Sequence, residues 1–154
     1  MLVVFESWSK EGIKTLHGIF SNGFPNLFHL STIQAGVSYS HTFVTDAQAE
    51  HIAALISDAL QDDVVVLEPD RDVERQWVET INSFANRAVE FQKSCTPSYI
   101  NNEGDPSRKT GLIASGYGGS PGDYCDILVN WRSTGKVGLR TESQNNQVVE
   151  RSGV

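Results

Sequence analysis

The clearest period in the chain runs from Val73 to Phe91. Val73, Trp77, Ile81, Phe84, Ala88 and Phe91 follow at spacings of four, four, three, four and three, which lays one apolar stripe along a helix. Asp70 precedes it as an N-cap, and Asp72 and Glu74 sit where the positive end of the helix favours acids. A Trp and two Phe on such a stripe read as core. A second helix is expected from Thr45, where Thr45-x-x-Gln48 has the form of a capping box. Its apolar set is Ile52, Leu55, Ile56, Ala59 and Leu60, and Asp62-Asp63 ends it. A third is expected from about Ser120. Ser120-x-x-Asp123 is another capping box, Pro121 takes the first helical position, and Gly135 is the stop. Tyr124, Ile127, Leu128 and Trp131 make its apolar face.

Extended segments are short. Val64–Leu67 is β-branched and stops at Pro69. Leu2–Phe5 reads as a stub strand, Leu27–Leu30 as the start of a buried strand behind Pro25-Asn26, and Val137–Leu139 as a further short strand. Residues 31–44 read as loop, and residues 93–119 hold too many Gly and Pro for any period. A loop that long inside a compact domain suggests a cover over something. The pattern predicts an α/β chain, mostly helical with a few short strands. A polar tail begins at Glu142.

Charge narrows the partners. The net charge of −7 argues against nucleic acid. Apolar runs such as Ile52–Ile56 are far too short for a membrane span, and Met1–Phe5 lacks the basic flank of a secretory leader. Cys95 and Cys125 are too few for a disulfide scaffold, so a reduced, cytoplasmic chain is expected.

Gly36-Val37-Ser38-Tyr39-Ser40 fails the nucleophile-elbow pattern at its fifth position. His41 and His51 have no third ligand at helical spacing, and His17 and His29 lie on separate segments, so no metal site is expected. The run Ser115-Gly116-Tyr117-Gly118-Gly119 before a helix looks like a phosphate cradle, but Pro121 replaces the third glycine of Gly-x-Gly-x-x-Gly. Glycines there suit a close approach of backbone to a ligand or another element.

A series of short segments, in order, resembles one family. They are Glu6-Ser7-Trp8-Ser9-Lys10-Glu11-Gly12, Thr15-Leu16-His17-Gly18, Gly23-Phe24-Pro25-Asn26-Leu27-Phe28 and Gln34-Ala35-Gly36. Gln48-Ala49-Glu50-His51-Ile52-Ala53, Trp77-Val78-Glu79 and Cys95-Thr96-Pro97-Ser98-Tyr99-Ile100-Asn101-Asn102-Glu103-Gly104 continue the series. Tyr117-Gly118-Gly119-Ser120-Pro121 and Trp131-Arg132-Ser133-Thr134-Gly135 close it. Together they resemble the C-terminal part of the flavin-dependent Baeyer–Villiger (class B) monooxygenases. Two places depart from the family pattern: Thr32-Ile33 stands where Gly-Pro is common, and Ser98 stands where Gly precedes the loop tyrosine.

The resemblance implies a C-terminal piece of a two-domain FAD/NAD(P)-binding fold. Residues 1–68 would end the FAD domain, 69–141 would supply a helix, an active-site covering loop and a final helix, and 142–154 a tail. It implies FAD and NADPH as cofactors and a ketone, aldehyde or soft heteroatom as substrate. The family's nucleotide-binding glycine motifs and its catalytic arginine do not occur in this sequence. The chain is therefore expected to be inactive alone and to act with an N-terminal flavin-binding half, or to self-associate. By resemblance, Gln34, Ala35, Gly36, Val37 and Ser38 form the turn beside the flavin ring. Tyr99, Asn101, Tyr117 and Gly118 belong to the loop that shields nicotinamide and substrate from water. Two other readings stay open: a non-catalytic binding protein that kept this fold piece, and a small independent enzyme using Glu103 or Asp123.

Overall fold

The computed structural model describes residues 4–94, 96–97 and 116–143. Among these residues there are four helices and one two-stranded sheet. The helices are α1 (Val4–Glu11), α2 (His41–Gln61), α3 (Arg71–Ser94) and α4 (Pro121–Ser133). Strands β1 (Val64–Pro69) and β2 (Leu139–Ser143) pair antiparallel, with Leu67 opposite Thr141 and a bulge between Val64 and Val66. The architecture is α/β and mostly helical.

The first half of the stripe on α3 behaves as its period requires, while the side chains of Ala88 and Phe91 lie outside the described ones. Trp77 and Ile81 are buried, and Val73 packs against the same core. On α4 the capping box closes in both directions: Asp123 N–H donates to Ser120 Oγ and Ser120 N–H donates to Asp123 Oδ2, each at 3.0 Å. At the other end Gly135 has φ 92, and Lys136 N–H donates to Trp131 O at 3.0 Å, a Schellman stop. Tyr124 and Leu128 are buried, as the α4 pattern predicts.

Four local expectations fail. Helix α2 starts at His41, not Thr45, with Ser40 as N-cap. The hydroxyl of Thr45 donates back to His41 O at 2.7 Å inside the helix, so no capping box forms there. The buried face of α2 is Val44, Gln48, His51 and Leu55, while Ile56 and Leu60 face outward. Val4 and Phe5 open α1 instead of a stub strand. Phe28 makes a single bridge to Phe20, and Leu27 and Leu30 are exposed, so no buried strand starts there. The turn around Asn26 docks on β1 by backbone and side chain: Asn26 N–H donates to Leu67 O and Leu67 N–H to Asn26 Oδ1, both at 2.9 Å. Asparagine tolerates the left-handed φ of 59 that this requires.

The core joins Leu16, Ile19, Phe20 and Ala35 from the irregular first part to Val44, Trp77, Ile81, Tyr124 and Leu128 from the helices. Among the described residues no helix is long and apolar enough to cross a membrane. Removing the α4 cap with Ser120→Ala is expected to cost about 1 kcal/mol in equilibrium urea unfolding, a loss set by one unpaired helix N–H. An unchanged midpoint would show that the box contributes nothing.

Candidate functional site

The site is built where Gln34–Ser38 meets Gly116–Gly118. Gly36 and Tyr117 form an isolated parallel bridge, and Tyr117 N–H donates to Ala35 O at 2.8 Å. Thus two segments eighty residues apart in the chain, each singled out from sequence, lie side by side in the fold. Tyr99 and Asn101, together with Cys95 and Glu103, lie outside the described residues.

Each residue of the turn has a distinct place. Gln34 is buried with φ 53, and its side chain is wholly used inside the chain. Its Oε1 accepts from Thr15 N–H at 2.9 Å and from Thr15 Oγ1 at 2.8 Å, and its Nε2 donates to Ile13 O at 2.9 Å. Its own carbonyl accepts from Trp77 Nε1 at 2.9 Å. Ala35 is fully buried. A Cβ on Gly36 would stand 2.7 Å from the Tyr124 ring, so the turn passes closer to α4 than any side chain permits. Val37 is exposed and Ser38 half-buried, so the outward groups of the turn are theirs. Tyr39 and Phe43 continue an exposed apolar stretch to the start of α2. The N-cap Ser40 makes no side-chain cap hydrogen bond; Phe43 N–H donates to Ser40 O at 3.2 Å, which leaves the N–H groups of His41 and Thr42 open to a partner.

Tyr117 sits in an aromatic slot. Its ring stacks on Trp77 at 5.7 Å and 14°, meets Phe84 edge-on at 5.1 Å, and lies 6.3 Å from Tyr124. Tyr124 is buried; its hydroxyl donates to His17 O at 2.6 Å and accepts from Gln48 Nε2 at 3.2 Å. Burial holds that phenol well above its ordinary range, so it stays a donor.

Below the slot lie two buried histidines. His17 meets Trp77 at 4.9 Å and Trp131 at 5.3 Å, and His51 lies 6.3 Å from His17. Arg132 Nη1 donates to His51 Nδ1 at 2.9 Å. Burial pushes His17 down from 6.5 to about 3, the nearby His51 adding to it. Burial and the Arg132 charge push His51 from 6.5 to about 4, the Leu128 backbone opposing in part. Among the described residues no three His, Cys, Asp or Glu side chains form a metal-binding group. The cluster packs against Trp77, whose indole N–H holds the Gln34 carbonyl. The exposed part of this region is Val37, Tyr39 and Phe43, at the outward edge of the turn and the start of α2.

Sequence reasoning missed how the turn is held. Thr15, Gln48 and Tyr124 reach across the fold as hydrogen-bond partners, and Glu74 does the same nearby, its carboxylate accepting from Asn22 N–H at 2.8 Å. Burial raises Glu74 above the usual carboxylate range. The only hint in the sequence was polar residues inside otherwise apolar helix faces.

Comparisons with known proteins bear on this geometry. No family model matches the chain. The chain is 40% identical over 127 residues to neopentalenolactone D synthase of Streptomyces avermitilis, covering 82% of this chain and 21% of that protein. A Baeyer–Villiger monooxygenase of Streptomyces coelicolor is also 40% identical over 127 residues, covering 82% of this chain and 20% of its own length. The chain is homologous to one part of the Baeyer–Villiger monooxygenases. An FAD-binding monooxygenase of Hypomyces subiculosus is 32% identical over 130 residues, with 84% of this chain and 21% of that protein covered. In structure, closed cyclohexanone monooxygenase matches with a TM-score of 0.77 at 23% identity, over 92% of this chain and 25% of that one. The cyclohexanone monooxygenase of Rhodococcus bound to NADP+ matches with a TM-score of 0.74 at 21% identity, over 91% of this chain and 25% of that one. These two show the fold. The chain thus spans about a fifth to a quarter of the proteins it matches.

Two outcomes follow from this homologous segment. Gln34→Ala strips partners from Thr15 and Ile13 at once and is expected to cost about 2–3 kcal/mol in chemical denaturation, since buried polar groups are left unpaired. A loss below 0.5 kcal/mol, the usual scatter of surface changes, would contradict the hydrogen-bonding described. The histidines set a pH dependence. Their folded values lie below the unfolded one, so the unfolded chain binds more protons as pH falls. Stability is full above about pH 6.5 and declines toward pH 4 and 3, and both imidazole resonances stay those of neutral rings at pH 5. Protonation of either ring at pH 6 in the folded chain, read by NMR, would overturn this.

Proposed function

We propose that this chain is the C-terminal part of an FAD- and NADPH-dependent class B monooxygenase. Its substrate would be a ketone or a related carbonyl compound, and its setting the cytoplasm. The observation that carries the reading is the 40% identity to monooxygenases along most of the chain. The meeting of Gly36 with Tyr117 supports it, since the two segments assigned to the flavin edge and the covering loop share one backbone bridge.

The residues present suit a flavin that lies against this face. Val37 is exposed and Ser38 half-buried, and the open N–H groups of His41 and Thr42 at the start of α2 favour negative charge at the ring edge. The exposed run of Val37, Tyr39 and Phe43 suits burial against a flavin-binding half. Bound FAD, reduced by NADPH, supplies the oxygen-activating chemistry. This chain's residues orient the ring edge and exclude water. Gln34, Ala35 and Gly36 act from inside, holding the turn in place. Tyr117 and Gly118 stand beside it as the end of the cover.

The test is reconstitution. The chain alone is expected to purify without flavin. Mixed with the N-terminal flavin-binding part of a class B monooxygenase, it is expected to give a yellow complex that oxidises NADPH and converts a cyclic ketone to a lactone. Retention of FAD and NADPH oxidation by the chain alone would contradict its being a dependent part. Absence of any complex would contradict the proposed half-and-half assembly.

A further inference from the structure

We propose that Trp77 is a positioning residue that makes the turn Gln34–Ser38 and the segment Gly116–Gly118 a single rigid unit. This rests on the monooxygenase reading for its use, but not for its existence. Trp77 touches both pieces by different means. Its indole N–H donates to Gln34 O at 2.9 Å, and its ring face stacks on Tyr117 at 5.7 Å. Tyr117 in turn donates its backbone N–H to Ala35 O at 2.8 Å, which closes a circuit from α3 to Tyr117, to the turn, and back to α3.

The circuit tolerates little slack. Trp77 is only 7% exposed, and the Gln34 carbonyl it serves belongs to a residue at φ 53. The segment around Tyr117 is threaded between the turn and α3 with glycine on both sides. A Cβ on Gly116 would stand 2.1 Å from Val37 Cγ2, and one on Gly118 would stand 2.5 Å from Phe84 Cβ. Close approach at both flanks lets the Tyr117 ring drop between Trp77 and Phe84, where it has a face contact on one side and an edge contact on the other. A phenylalanine at 77 would keep the ring face and lose the donor. An aliphatic side chain would lose both. Tryptophan brings to this position both an apolar ring face and an N–H donor to the Gln34 carbonyl.

Functionally, the turn Gln34–Ser38 and the segment Gly116–Gly118 would hold one fixed relation to each other, so the backbone offered to a bound flavin would be set from α3 through Trp77.

The experiment compares Trp77→Phe, Tyr117→Phe and Tyr117→Ala in the full chain by NMR and amide hydrogen exchange. Trp77→Phe is expected to speed exchange at the Tyr117 amide by about tenfold or more while Leu55 in α2 and Leu128 in α4 keep their rates, because only the local opening changes. Tyr117→Ala is expected to move the Trp77 indole N–H resonance, and Tyr117→Phe, which keeps the ring, to leave it in place. If Trp77→Phe speeds Tyr117, Leu55 and Leu128 by a common factor, Trp77 is a core residue and the proposal falls. The proposal also falls if the Tyr117 amide is unaffected. Should Trp77→Phe fail to fold, the Tyr117 pair decides alone: an indole resonance indifferent to Tyr117→Ala overturns the coupling. None of these readouts involves flavin, so failure of the reconstitution above and failure of this coupling are separate results.

Discussion

A buried stretch of irregular backbone has to find its hydrogen bonds somewhere, and in this chain many of them come from distant side chains. Residues 12–40 form no helix and no strand ladder, yet Thr15 through Ser21 and Gln34 through Gly36 are buried. In a helix or sheet the polar backbone groups would satisfy one another. Here Tyr124 on α4 donates to His17 O, Trp77 on α3 donates to Gln34 O, and Gln48 on α2 donates to Ser31 O. Glu68 on β1 and Glu74 on α3 accept the N–H groups of Gly23 and Asn22. Within the stretch, Gln34 ties Ile13 and Thr15 together. Three helices and a strand thus act as a frame for a loop.

That arrangement explains why a site can sit on a loop and still be rigid. A turn facing a cofactor must hold its backbone within a narrow range, and loops are ordinarily the mobile part of a fold. Each buried carbonyl that depends on one distant donor makes loss of that donor costly, so the turn resists opening. The aromatic slot around Tyr117 adds a second restraint from the other side. The neutral, buried His17 and His51 fit the same logic, since they fill space between Trp77 and Trp131 without carrying charge into the core.

The helices were legible in the sequence where packing is apolar. The α3 helix with Trp77 and Ile81 inward, and the α4 capping box with its glycine stop, needed only periodicity and cap chemistry, and both are present in the structure. Helix α2 misled because its inward face carries Gln48 and His51, while Ile56 and Leu60, which look like core, face outward. The candidate turn was found only through the family resemblance. Nothing local in Gln34-Ala35-Gly36 announces that Trp77 and Tyr124, forty-three and ninety residues later, hold it. Long-range hydrogen bonds to irregular backbone leave no period behind, so pattern reading cannot recover them.

The central physical claim is that the irregular segment is as firmly held as the helices that serve it. Native-state hydrogen exchange on the unmodified chain measures this directly. Thr15, Gly18 and His29 donate their amide protons to Gln34 Oε1, Thr15 Oγ1 and Ile19 O. The account predicts that these three exchange as slowly as Leu55 and Leu128 in the buried faces of α2 and α4. Exchange of Thr15 and Gly18 at the rate of an unprotected loop, with the helices still protected, would contradict it.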